Sequence, residues 1–301
     1  MNKYHFPVLL HESIEGLKIN PDGKYVDVTF GGGGHSREIL KHLRNGELYA
    51  FDKDEDAKRN VPLDDRFTLI SESFSNLRKM LKLYNAVPVD GILADLGVSS
   101  HQFDVAERGF SIRFDAELDM RMDRKKGQTA ADILNNYEEK ELKRLFLEYG
   151  ELFNAGRIAS KIIQARAVQN IETVKQLKEL LMPMVFKPKE HQFFAKLFQA
   201  LRMEVNNEVE ELKLMLQQSL EVLKKGGRLV VISYHSIEDR YVKNFMKSGN
   251  FDGVIEKDFY GNIKVPFKLI NTKPILPKKE EIIENNRARS AKLRIAEKII
   301  D

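Results

Sequence analysis

The chain contains no cysteine, so disulfides and thiolate–metal sites are excluded outright. No apolar run approaches the ~18 residues of a membrane-spanning helix. Met1 to Glu12 carries proline and charge where a secretory leader would carry an apolar core. The excess of basic over acidic side chains is also small. The 49 basic and 45 acidic side chains leave a net charge of +4, too small by itself to point to a polyanionic partner. No His/Asp/Glu set has the spacing of a metal site. The simplest reading is a cytoplasmic protein with no resident metal and no membrane contact.

At 301 residues the chain is at the length where a single core stops growing, roughly 250–300 residues. One large domain with an insertion, or two domains, is therefore expected. The first third alternates strand and helix signals. Strands are expected over 24–28, 48–51, 67–71 and 89–94, with a helix over 36–43. Short apolar runs separated by helical stretches mean βαβ units and a parallel sheet. From Thr129 to Val205 the signals are helical, beginning with a Thr129-x-x-Asp132 capping pattern. Leu142, Leu145, Phe146 and Tyr149 form one apolar stripe; Phe194, Leu197, Phe198, Leu201 and Val205 form another. A further helical stripe runs from Val209 to Leu223, with Gly226-Gly227 as its end. Leu229 to Ser233 reads as a buried strand, with Tyr234 to Asp239 at its carboxyl end. The architecture is an α/β sheet domain over 1–105 and 208–301, interrupted by a helical insertion over 106–207.

The first strand runs into Gly31-Gly32-Gly33-Gly34. A strand, a glycine turn and a helix start make a cofactor cradle: glycines allow positive φ and close approach, and the helix start presents unpaired N–H groups. A dinucleotide fingerprint requires G-x-G-x-x-G. Its third glycine is missing in both registers, which place Ser36 or Arg37 there. The alternative is the S-adenosylmethionine (SAM) pattern, an acid at the strand end followed by spaced glycines. Asp27 to Gly33 fits it, with Thr29 in the first glycine slot. Asp52 ends the next strand, 21 residues after Gly31, where a carboxylate accepts ribose hydroxyls. Phe74, after the third strand, is either an adenine-packing ring or a core residue.

More specific blocks follow: HFPVLLHE (5–12), DVTFGGGGHS (27–36), DLGVSSHQFD (95–104), RGFS (108–111), LDMRMD (118–123), FQALRMEVN (198–206), SYHSIEDR (233–240) and RARSAKLR (287–294). In order and over the whole chain, they resemble the MraW/RsmH family of bacterial methyltransferases of small-subunit ribosomal RNA. The resemblance implies a Rossmann-like class I SAM methyltransferase core with an inserted all-helical substrate domain. It implies methylation of the exocyclic N4 of one cytosine in the decoding region of 16S rRNA, with rRNA or the small ribosomal subunit as partner. Carried over by position, the implied cofactor contacts are Gly33, Gly34, His35, Asp52, Phe74, Asp95 and Gln102. Two departures stand out: Tyr234 where the family has phenylalanine, and Asn286 where it has proline.

A cytosine amine is a poor nucleophile, and many amino methyltransferases meet it with a D/N/S-P-P-Y/F loop after the fourth strand. Asp95-Leu96-Gly97-Val98 stands there instead. Asp95 keeps the acceptor role available and is the catalytic candidate; a pure cofactor contact is the other reading. Phe103 and Phe110 are the candidates for base stacking. His35, at a helix start, is expected to be neutral, and His235 to make a structural hydrogen bond. Arg108, Arg121, Arg157, Arg202 and Arg289 are candidate RNA contacts, with Lys161 and Gln164 beside Arg157 and Gln199 and Asn206 beside Arg202. Their alternative is ordinary structural arginine. Four competing readings carry different signatures. An oxidoreductase needs the absent third glycine. A non-catalytic RNA-binding protein needs no loop–Asp52 pairing. Arg287, Arg289, Lys292 and Arg294, with no acid between them, read as a basic tail able to track a phosphate backbone or as a solvated helix face; a small-molecule methyltransferase needs neither the insertion nor this tail. A DNA cytosine-N4 enzyme is expected to carry the missing proline loop.

Overall fold

A computed structural model describes residues 7–257, 260–261 and 264–301. His5 and Phe6 of the first sequence block lie outside the described residues. The chain divides into two compact units, 1–97 with 209–301, and 98–208.

The first unit is built on one seven-stranded sheet. Its strands are β1 (Lys24–Asp27), β2 (Glu47–Phe51), β3 (Phe67–Ile70), β4 (Val89–Asp95), β5 (Leu223–Ser233), β6 (Phe267–Leu269) and β7 (Lys292–Lys298). They lie in the order β3-β2-β1-β4-β5-β7-β6. β3, β2, β1, β4 and β5 run parallel, while β7 runs antiparallel to both β5 and β6. Strand residues alternate between two buried layers, as a period of two requires. Val26, Ile92, Leu229 and Val231 join one cluster with Leu212, Leu216 and Phe245. Tyr25, Leu48, Leu93, Val230 and Ile232 join the other with Leu17, Ile39 and Leu40. With both faces covered, the strands read as apolar runs rather than alternating ones. The strand order reverses between β1 and β4. In such sheets ligands bind in the crevice at the carboxyl ends of the strands that flank the reversal, and here those strands end on Asp27 and Asp95.

Two expectations for this unit are corrected. Gly226-Gly227 do not end the helix, which closes at Val222. They lie within β5, Gly226 at φ +80°, where the β4–β5 register jumps from Val89↔Leu223 to Gly91↔Arg228. The extra residues fit a bulge, and glycine takes the positive φ without strain. The 287–294 segment is likewise not a free basic tail. Arg287 and Arg289 sit on a single 3₁₀ turn, while Lys292 and Arg294 belong to β7, an interior strand.

The second unit is helical. Helices Ala130–Asn136, Glu139–Glu148, Ala155–Arg166, Val174–Leu181 and Glu190–Val205 enclose a core that includes Leu134, Leu142, Phe146, Ile158, Phe194 and Leu201. The Thr129 hydroxyl accepts the Asp132 N–H at 3.0 Å and the Asp132 carboxylate accepts the Thr129 N–H at 2.8 Å, a complete capping box. Among the described residues no helix is long and apolar enough to cross a membrane.

Candidate functional site

The loop after β1 is strapped from beneath by Asp27, which is 1% exposed. Its Oδ1 accepts the Thr29 N–H at 3.0 Å, and its Oδ2 accepts the Ser36 hydroxyl at 2.7 Å. Burial pushes this carboxyl up, and Ser36, His35 and Thr29 work against that. Gly31 and Gly33 take the left-handed conformation, at φ +49° and +72°. Gly33 caps the helix Gly34–His42. A Cβ on Gly33 would come within 2.8 Å of the Phe30 ring, and one on Gly34 within 2.2 Å of Pro7. Gly33 is therefore demanded by both backbone conformation and space, Gly31 by conformation and Gly34 by space.

Asp52 follows β2 and closes the loop from the other side. Its Oδ2 accepts the Gly31 N–H at 2.8 Å and its Oδ1 the Asp54 N–H at 2.8 Å. Burial raises its pKa to about 6, against the lowering effect of those two N–H groups. Each carboxylate oxygen has two lone-pair sites, so both keep capacity for a further donor. Phe74 begins a short 3₁₀ turn after β3 and packs, half-buried, against the main core.

Asp95 ends β4 beside the same loop. Its N–H donates to Thr29 Oγ1 at 2.6 Å, and its Oδ1 accepts the Tyr234 hydroxyl at 2.7 Å. Oδ2 lies 3.7 Å from His35 Nδ1, beyond hydrogen-bond range. Burial pushes the Asp95 pKa up to about 6, with His35 and then Tyr234 acting to lower it. The side chain nevertheless retains 23% exposure, enough for a ligand to reach it. His35 is buried, with Nε2 3.1 Å from the Val8 carbonyl. A carbonyl only accepts, so Nε2 carries a proton toward it. His235 Nε2 stands 2.9 Å from Glu238 Oε1.

Gly33, Gly34, His35, Asp52 and Asp95 thus surround one strand-end crevice in the first unit, with Phe74 following the next strand outward. Gln102 falls in the second unit, where it completes a capping box with Ser99. Sequence reasoning missed two contributors. Thr29 was seen only as an irregularity in the glycine pattern, and Tyr234 only as a departure from phenylalanine.

The arginines separate into two groups. Arg108 is 2% exposed and donates to the carbonyls of Arg121 and Met122 at 3.0 and 3.1 Å, so it is not a rim residue. Arg121 grips Asp119 through both Nε and Nη2, and Arg202 grips Glu208 in the same way. Gln199 and Asn206 donate to main-chain carbonyls of Tyr149 and Met120. Arg157 and Arg289 are exposed, as are Lys161 and Gln164. Phe110 is 4% exposed in the helical core and presents no ring for stacking, while Phe103 packs half-buried against that core.

The MraW methylase family matches residues 2–299 of this chain. A protein of Parabacteroides distasonis named ribosomal RNA small subunit methyltransferase H is 57% identical, over 98% of both chains. A protein of the same name from Flavobacterium johnsoniae is 58% identical, over 99% of this chain and 98% of its own.

Proposed function

The chain belongs to the MraW methylase family, and from that premise we propose that it transfers a methyl group from SAM to the exocyclic N4 of one cytosine in the decoding region of 16S rRNA. The relatives' shared name supports ribosomal RNA of the small subunit as the substrate. The observation that carries the reading is the meeting of Asp27, the glycine turn, Asp52 and Asp95 at the sheet's reversal point.

The residues present fit SAM. Gly31 and Gly33 hold left-handed conformations, and a side chain on Gly33 would meet the Phe30 ring; Asp52 keeps lone pairs for a ribose diol while anchoring the glycine turn. When bound, SAM supplies an electrophilic methyl group on a cationic sulfur. Gly33, Gly34 and Asp52 hold the cofactor, and Asp27 keeps the loop in shape. Asp95 accepts a hydrogen bond from the cytosine amine and takes up the proton that the nitrogen sheds as its new bond to carbon forms. A carboxyl raised to about 6 is a better proton acceptor near neutrality than an ordinary aspartate. Orientation of the amine supplies the remainder, because its delocalised lone pair must be aimed to react. Residues 106–207, with exposed Arg157, and the exposed Arg289 turn hold the RNA backbone.

Nucleoside mass spectrometry of 16S rRNA from cells with and without the protein tests this. N4-methylcytidine derivatives should disappear in the deletion and return on complementation; an unchanged signal overturns the proposal.

A further inference from the structure

β4 and β5 are paired with Asp95 opposite Ile232, so position 234 lies just past the end of the same crevice. The Tyr234 ring packs beside the Asp95–Gly97 turn: a Cβ on Gly97 would meet its Cδ2 at 3.7 Å. Its N–H donates to Glu238 Oε2 at 3.0 Å, so backbone and ring are both held. From that position its hydroxyl donates to Asp95 Oδ1 at 2.7 Å across 139 residues of sequence.

We infer that Tyr234 is a positioning residue for the methyl transfer: its hydroxyl pins Asp95 Oδ1 and leaves Oδ2 as the oxygen that receives the substrate amine. This rests on the function proposed above. The second torsion of an aspartate is broad and two-fold, so a carboxylate anchored only through its own backbone has no preferred oxygen. The Tyr234 hydroxyl selects one. Phenylalanine at this position fills the same space and makes no such choice. The bond also favours the charged carboxylate. The titratable groups that face Asp95 are His35 after β1, Asp27 at the end of β1, Tyr234 after β5 and Glu238 on the helix Ser236–Ser248. Asp27 and Glu238 disfavour the charge, and Tyr234 and His35 sustain it.

The test is Tyr234→Phe, which deletes one oxygen and keeps the ring. The Asp95 carboxyl is titrated by ¹³C NMR in the full-length wild type and variant, and kcat is measured against pH on small-subunit rRNA. In the variant, the Asp95 midpoint and the acid limb of kcat should both move up by about one pH unit, a ten-fold change in proton affinity. The KM for SAM should stay within about two-fold. A purely structural role would lower kcat evenly at all pH values. An unmoved Asp95 midpoint, or a moved midpoint with an unmoved rate profile, overturns the inference. A wild-type enzyme that methylates no rRNA cytosine overturns the proposed function and this role with it. That outcome is told apart by the NMR titration, which needs no substrate.

Discussion

Thr29 Oγ1 accepts the main-chain N–H of Asp95 at 2.6 Å and directs its own proton toward Asp27 Oδ1 at 3.4 Å. The two strand ends that flank the sheet's reversal are thereby tied by one hydroxyl, at the position where the general methyltransferase pattern has glycine. The tie explains why a threonine is useful there: glycine would leave the Asp95 amide without this partner. Thr29→Ala and Thr29→Gly should each cost about 1–3 kcal/mol, the penalty of a partly buried donor left unmatched. Thr29→Ser should retain most of the wild-type stability. Urea unfolding of the four proteins decides the matter, and equal stability of the alanine and serine variants would refute the tie.

Asp52 links the cofactor cradle to pH. Its pKa is raised to about 6 from an ordinary 3.8, so the folded protein binds this proton more tightly than the unfolded chain does. Its favourable contribution is complete below about pH 4 and is lost as pH rises through about 6. In the cofactor-free protein, the stability of Asp52→Asn relative to wild type should therefore improve by about 2 kcal/mol between pH 4 and pH 8. SAM affinity should move the other way, because the amide offers one acceptor oxygen in place of two and carries no charge. Calorimetric titration with SAM and urea unfolding across that pH range measure both trends. A stability difference independent of pH would show that Asp52 titrates normally.

Arg294 and Asp239 lock β7 to the helix Ser236–Ser248. The guanidinium Nε and Nη2 donate to the two carboxylate oxygens at 2.6 and 3.1 Å, with Lys292 Nζ 3.5 Å from the same carboxylate. Burial pushes the Asp239 carboxyl up, but Arg294 and then Lys292 outweigh it and hold the carboxyl below its ordinary value. The pair's contribution is therefore present above the ordinary carboxylate value and is lost as pH falls from there through the lowered one. Removing one partner of a buried pair strands the other charge, so Arg294→Ala should cost about 3–5 kcal/mol near neutrality. Asp239→Ala should cost a similar amount. A loss under about 1 kcal/mol in urea unfolding would mark the pair as solvent-screened.

This pair also shows where the sequence misleads. Leu293 and Ile295 alternate with Lys292 and Arg294, a strand pattern masked by its charge. The charges are matched by Asp239 and, for Glu297, by Arg228 on β5, partners more than fifty residues away. By contrast β1, β2 and β4 are legible because each is a short apolar run closing on or just before an acid, and the sheet buries both faces. β6, at three residues, carries too little pattern to register. The cradle was legible through Gly31–Gly34 and Asp52, where local backbone demands coincide with chemistry. Tyr234 was not, since only the β4–β5 register brings it to Asp95. Arg108 failed for a related reason: its main-chain carbonyl partners leave no mark on composition.

The same distinction predicts which arginines act on RNA. A phosphate contact releases counterions, so its removal weakens binding and lowers the slope of log affinity against log salt by about one. Arg157 and Arg289 are exposed, and Arg157→Ala and Arg289→Ala should each show that loss with unchanged thermal stability. Arg108 and Arg202 are engaged within the helical unit. Arg108→Ala and Arg202→Ala should instead lower the melting temperature while leaving the salt slope of the folded protein unchanged. Filter binding of small-subunit rRNA across a salt series, beside thermal melts of the same four variants, separates the classes. A reduced slope for Arg202→Ala with full stability would move that residue from the fold to the RNA surface.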